Sequence, residues 1–130
     1  KHTAVVFKTN GVVATCDIRG SVDIHDIVGG YFEIALSSFR DSLTLHGGGW
    51  ALYANETGRC DMLPMNEPAR RFMAGHLITE YKNILSMHGD MVLLGVNAEG
   101  ETTDLPAEMI SLVLRHHMYD EGEITITTFD

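Results

Sequence analysis

The stretch AVVFKTNGVVATC, residues 4–16, decides the fold. Its two halves, residues 4–9 and 12–16, are rich in β-branched side chains, which favour strands. Between them, Asn10 and Gly11 both accept positive φ, as a tight type I′ turn requires. The stretch therefore predicts a β-hairpin and, with it, an antiparallel sheet that begins near the start of the chain.

Strand signals recur along the rest of the sequence. Met91–Val96 is apolar throughout, a pattern typical of a strand buried on both faces. Residues 55–58 (NETG) are a turn signal between two further strands, which would make a second hairpin. The strands predicted after the first hairpin are residues 31–36, 50–54, 59–62, 91–96 and 124–129, and residues 37–49 are predicted as a loop.

Helix signals separate these strands at three places. The predicted helices cover residues 21–28, a segment that starts at residue 66, and residues 105–118, with Ser21, Asn66 and Asp104 as their respective caps. Gly29 and Gly30 end the first helix. Two hairpins with helices packed on them predict one α+β domain over residues 1–130, mostly an antiparallel sheet with two or three helices.

Composition narrows the functional classes. The chain carries 18 acidic and 9 basic residues, a net charge of −9, whereas a nucleic-acid surface needs clustered Lys and Arg. No apolar run approaches the roughly 18 residues of a membrane span, so no membrane contact is expected. Cys16 and Cys60 are isolated, which favours reduced thiols and a cytoplasmic location.

Signals for catalysis, a cofactor or a metal are weak. His116 and His117 are neighbours on a predicted helix, so they point about 100° apart and do not share a metal easily. His25 lies between Asp23 and Asp26, which fits a surface or capping cluster as well as a base with its orienting acid. The sequence therefore predicts no catalytic residue, no metal ligand and no cofactor, although a small His/carboxylate hydrolase stays an alternative.

Anion binding has the more specific signals. Gly47, Gly48 and Gly49 form flexible backbone between His46 and Trp50. The helix start at Asn66 offers free amides with two arginines one turn on, although two solvated arginines would explain that pair as well. If the two segments meet, they form a donor-lined hollow. The predicted ligand-binding residues are Tyr31, His46, Gly48, Asn66, Arg70 and Arg71.

Four segments carry a family resemblance. They are residues 28–33 (VGGYFE), 54–58 (ANETG), 63–69 (LPMNEPA) and 88–95 (HGDMVLLG). In this order they resemble a family of short proteins, a domain of unknown function, found in bacteria, phages and mobile elements. The resemblance spans roughly residues 20–96 and implies a phage or mobile-element setting, in which small cytoplasmic proteins blunt host defence.

Three functional hypotheses follow. The first is a non-enzymatic binding protein, a homo-oligomer that holds a small anionic or nucleotide-like ligand through Arg and backbone donors and an aromatic ring. The second is an acidic protein-interaction module that inhibits a host enzyme, whose sign would be a surface patch without a pocket. The third is the hydrolase, which needs three or more His, Asp or Glu side chains in one cleft.

Overall fold

The protein folds into one antiparallel sheet with helices on both faces. The computed structural model describes residues 1–38, 49–77 and 87–120. The described elements are β1 (His2–Phe7), β2 (Val13–Ile18), α1 (Ser21–Val28), β3 (Phe32–Ser38), β4 (Gly49–Asn55), α2 (Glu67–Phe72) with a π-helical turn after it (Met73–Leu77), β5 (Met91–Val96), β6 (Thr102–Thr103) and α3 (Ala107–Asp120). The strand order is β2-β1-β5-β4-β3, with β6 paired to β5. The α+β prediction is confirmed.

The first hairpin forms as predicted, but its turn differs. β1 pairs antiparallel with β2 from His2↔Ile18 to Phe7↔Val13. The Gly11 amide donates to the Lys8 carbonyl, and Gly11 alone in this turn has positive φ, at 97°. The type I′ prediction was wrong because Asn10 keeps negative φ; its side chain instead accepts a hydrogen bond from the Val12 amide at 3.0 Å.

β5 is the central strand, as its apolar run predicts. All six of its residues are buried, and it pairs with β1 and β4. β6 pairs with β5 on the same side as β1 but nearer the end of β5, where Thr103 lies opposite Gly95. This two-residue strand had no sequence signal, because a strand this short carries no periodicity.

The sheet separates two apolar cores. One face packs against α2 and α3 and includes Phe7, Leu52, Phe72, Leu93 and Met109, all fully or almost fully buried. The other face packs against α1 and includes Val6, Ile24, Tyr53, Val92 and Leu94. Successive residues of β5 face opposite cores, because side chains alternate along a strand.

Helix boundaries were predicted better than helix caps. α1 ends at Gly29, which has a φ of 82°, as the Gly29-Gly30 pair predicts. Ser21 is the first residue of α1 and not its cap; Gly20 takes the cap position and supplies no side-chain hydrogen bond. Asp104 does not cap α3 either, because its carboxylate accepts the Thr3 amide at 2.7 Å.

Other segments depart from the sequence prediction. Residues 59–62 form turns in place of a strand, with the Asp61 amide donating to the Thr57 carbonyl, so there is no second hairpin here. Residues 37, 38 and 49 belong to β3 and β4, and the rest of the predicted 37–49 loop lies outside the described residues. The predicted strand 124–129 also lies outside them.

Candidate functional site

Asn66 is a structural residue at the start of α2. It is fully buried, and its Nδ2 donates to the carbonyl oxygens of Phe7 and Gly89, both at 2.8 Å. Its Oδ1 accepts the Ala69 amide at 3.0 Å, so the predicted cap is confirmed. Both amide hydrogens are therefore used inside the protein, and Asn66 has no donor left for an anion.

Arg70 and Arg71 lie one turn beyond Asn66, as predicted, beside an acidic residue. Arg70 donates to Glu67 Oε2 from Nη2 at 2.7 Å and from Nε at 3.1 Å. Arg71 Nε lies 3.7 Å from the same oxygen. The Arg70 hydrogen bonds, with smaller help from both positive charges, lower the pKa of Glu67. The Glu67 carboxylate thus already contacts both arginines and offsets one of their two positive charges.

The other members of the predicted ligand site do not join this group. Tyr31 is exposed and contacts His25 of α1, on the opposite face of the sheet from α2. Gly49 pairs with Val96 at one end of β5, whereas Asn66 binds Gly89 before the other end. The length of β5, roughly 17 Å at 3.3 Å per residue, separates them. His46 and Gly48 lie outside the described residues.

A different site lies between the start of α1 and the sheet. A pocket of about 280 Å³ opens there, at the low end of the range for small-molecule sites. Its lining is mainly apolar. Among the residues that line it are Ile18, Ile24, Phe32 and Tyr53 on the walls, and Arg19 and Ser21 near the opening.

Tyr53 is the most buried of the polar residues that line the pocket. Its residue is only 9 % exposed, and its ring meets Phe32 edge to face with centroids 5.5 Å apart. No hydrogen-bond partner for its hydroxyl is found in the described part of the chain, yet the oxygen is not among the fully enclosed polar atoms. The side chain lines the pocket, and its hydroxyl is accessible and able to donate or accept a hydrogen bond.

The N-terminus of α1 borders the same pocket. Gly20 caps the helix without a side chain, and within the described residues no acceptor is found for the amides of Ser21 and Val22. First-turn amides of this kind carry partial positive charge. The pocket therefore combines apolar walls, one phenolic hydroxyl and unpaired amide donors.

Two carboxylates near the pocket already have partners. Asp23 accepts the Arg19 amide at 2.9 Å and the Arg19 Nε at 3.3 Å, and these hydrogen bonds lower the pKa of Asp23. Asp104 accepts the Thr3 amide and lies 3.7 Å from His2 Nδ1. These contacts reduce the negative field at the opening, although the whole chain is acidic.

Sequence reasoning missed this pocket. The Gly20-Ser21 pair marked a helix start, and an arginine precedes it, so a donor-rich helix end had a local signal. The pocket itself needs Phe32 and Tyr53 to be brought against Ile24, and no pattern in the sequence shows that these three residues meet.

Metal binding and His/carboxylate catalysis both need a cluster of suitable side chains. Over residues 1–38, 49–77 and 87–120, no three His, Cys, Asp or Glu side chains lie close enough together to hold a metal ion. His25 Nδ1 lies 3.8 Å from Asp26 Oδ1 on the exposed side of α1, away from the pocket. In the same residues, no helix is long and apolar enough to cross a membrane.

Comparisons with family models, curated proteins and solved structures found no match.

Proposed function

We propose that this chain is a non-enzymatic binding protein that holds a small ligand in the pocket between α1 and the sheet. The observation that carries the proposal is Tyr53, a side chain only 9 % exposed that lines the pocket and whose hydroxyl has no hydrogen-bond partner among the described residues. A buried polar group normally has a hydrogen-bond partner, so a ligand or water must serve it here. The pocket also favours ligand binding over the second hypothesis, because an acidic interaction module was expected to have a surface patch and no pocket.

The wall chemistry suits a flat, mainly apolar ligand. Phe32 and Tyr53 offer aromatic surface, and Ile18 and Ile24 complete the apolar lining. Small-molecule sites typically combine such a lining with a few placed polar groups. An apolar cavity of about 150 Å³ holds benzene, so a space nearly twice as large fits one bicyclic ring system.

Calorimetric titration with 2-naphthamide and 2-naphthoate tests the proposal. The native chain should bind at least one of them. Ile24→Phe adds a ring at the pocket wall and should abolish that binding. The added volume costs about 1–3 kcal/mol of stability, so circular dichroism checks that this variant folds. Tyr31→Phe, on an exposed ring outside the pocket, is the matched control and should bind as the native chain does. No heat with either probe would overturn the proposal.

The proposal extends to the setting of the protein. The resemblance over residues 20–96 implies a phage or mobile-element setting, and ligand sequestration is the role that we propose for the chain there. Cys16 and Cys60 are both free thiols, which supports a reducing cytoplasm. The expected homo-oligomer stays a prediction, and native mass spectrometry of the purified chain reports subunit number and any retained ligand together.

A further inference from the structure

We infer that the ligand of this pocket carries one anionic group, a carboxylate or a phosphate, bound at the N-terminus of α1. The inference rests on the proposed function and adds the chemical class of the ligand. It combines two independent observations. One is a helix start in the pocket lining whose first amides have no acceptor among the described residues. The other is the Tyr53 side chain of the same lining, which is only 9 % exposed and whose hydroxyl has no hydrogen-bond partner among those residues.

The helix start supplies the donors for the anion. α1 is eight residues long, and Gly20 gives its first turn no side-chain acceptor. Ser21 and Val22 therefore keep main-chain amides for a ligand, and the Ser21 hydroxyl is exposed beside them. Anions bind such helix ends because the amides and the helix dipole act together.

Arg19 adds a guanidinium at the same place, whose charge is partly offset by Asp23. Its side chain is 80 % exposed and touches Asp23 through Nε, so its two terminal nitrogens extend beyond that contact. A guanidinium can hold a carboxylate or phosphate with two parallel hydrogen bonds. The anion would thus lie between Arg19 and the first turn of α1, with the apolar body of the ligand against Tyr53.

The negative net charge of the chain helps to distinguish local anion binding from general electrostatic attraction. A net charge of −9 repels anions in general, so binding of an anion cannot come from a diffuse positive field. A preference for an anionic probe over a neutral probe of the same shape therefore reports local donors.

The test compares three naphthalene probes by isothermal titration: 2-naphthoate, 2-naphthyl phosphate and the neutral 2-naphthamide. At least one anion should bind about tenfold more tightly than the amide, which corresponds to one charge-assisted hydrogen bond. Whichever anion binds more tightly distinguishes a carboxylate from a phosphate ligand. Equal affinity for all three would overturn the inference.

Two variants locate the anion. Ser21→Asp places a carboxylate at the helix start and should weaken the anionic probes about tenfold while leaving 2-naphthamide unchanged. Arg19→Gln should act in the same direction, and Arg59→Gln, on an exposed arginine outside the pocket, should change nothing. Circular dichroism checks that each variant folds.

The outcomes separate the inference from the proposed function. If 2-naphthamide binds as well as the anions and Ile24→Phe abolishes its binding, the pocket is a ligand site and the anion inference is wrong. If no probe binds, both are wrong. If the anions bind but neither Arg19→Gln nor Ser21→Asp weakens them, the anion site lies elsewhere and the inference fails.

Discussion

Asn66 links three separate parts of the chain through one buried side chain. It joins the end of β1, the turn before β5 and the first turn of α2. Asn66→Ala would leave two buried carbonyl oxygens and one amide without partners, at roughly 1–3 kcal/mol for each such group before relaxation. We expect Asn66→Ala to lower the free energy of unfolding by about 3–5 kcal/mol, measured by urea denaturation.

Asn66→Asp separates the two roles of this residue. The aspartate keeps an acceptor for the Ala69 amide but replaces both donors with a charge that faces two carbonyl oxygens. It should therefore destabilise the protein at least as much as alanine does at neutral pH. A loss below about 1 kcal/mol for either variant would show that the network is not structural.

Gly95 is required by space and Gly29 by backbone conformation. A Cβ on Gly95 would overlap the Asp104 carbonyl and lie 2.6 Å from Thr103 Oγ1, whereas one on Gly29 would meet nothing within 4 Å. Gly29 instead has a φ of 82°, which costs an alanine about 1 kcal/mol. Gly95→Ala should therefore lower thermal stability far more than Gly29→Ala. Equal losses in a melting experiment would contradict the close packing of β5 against the Asp104 main chain.

The two cysteines should differ in reactivity. Burial, with smaller contributions from the charges of Asp17 and Asp23, raises the pKa of the Cys16 thiol above its usual value. Cys60 is exposed. Because the thiolate is the reactive form, a disulfide reagent at pH 8 should modify Cys60 first and Cys16 more slowly. Cys16→Ser should remove the slow phase and Cys60→Ser the fast one; a single phase in the native chain would contradict this difference.

At the scale of elements, two helix starts depend on ionised carboxylates. Hydrogen bonds from Arg19 lower the pKa of Asp23 in α1, and those from Arg70 lower the pKa of Glu67 in α2. A carboxylate with a lowered folded-state pKa stabilises the fold above its unfolded pKa, near 4, and this stabilisation is lost as the pH falls through the folded value.

The urea midpoint should therefore be steady from pH 7 to about 5 and fall below that. Asp23→Asn and Glu67→Gln should each make the fall of the urea midpoint below pH 5 less steep, because the carboxylate that takes up a proton is gone. Asp61→Asn is the control, because this exposed carboxylate accepts a hydrogen bond from Thr57 Oγ1 and has no arginine partner among the described residues. If neither Asp23→Asn nor Glu67→Gln changed the fall of the urea midpoint below pH 5, that result would contradict the assigned hydrogen bonds.

At the scale of the molecule, features with a local cause could be predicted from the sequence, whereas tertiary contacts between distant segments could not. The first hairpin, the buried run of β5, the Asn66 cap and the glycine stop of α1 each have a cause within a few residues, and the structure confirms them. The strand at 59–62 was wrong because an apolar pair after a turn signal does not show whether a partner strand is present. β6 had too few residues to give a pattern.

The candidate site shows the same division. A helix start with Arg70 and Arg71 was predicted, but only the fold reveals that Glu67 and the carbonyl oxygens around Asn66 already take up the donors nearby. The pocket at α1 depends on the sheet bringing β3 and β4 beneath the helix. That packing leaves the Tyr53 hydroxyl without a hydrogen-bond partner among the described residues, which no sequence spacing encodes.

The most direct test of the ligand pocket is a ¹H–¹⁵N chemical-shift titration of the labelled chain with 2-naphthoate. We expect the largest shifts at the amides of residues 19–24 and at Tyr53, with those of residues 66–71 unmoved. Saturable shifts confined to the pocket would support the account. Shifts centred on the start of α2, or none at a probe concentration that saturates typical small-molecule sites, would contradict it.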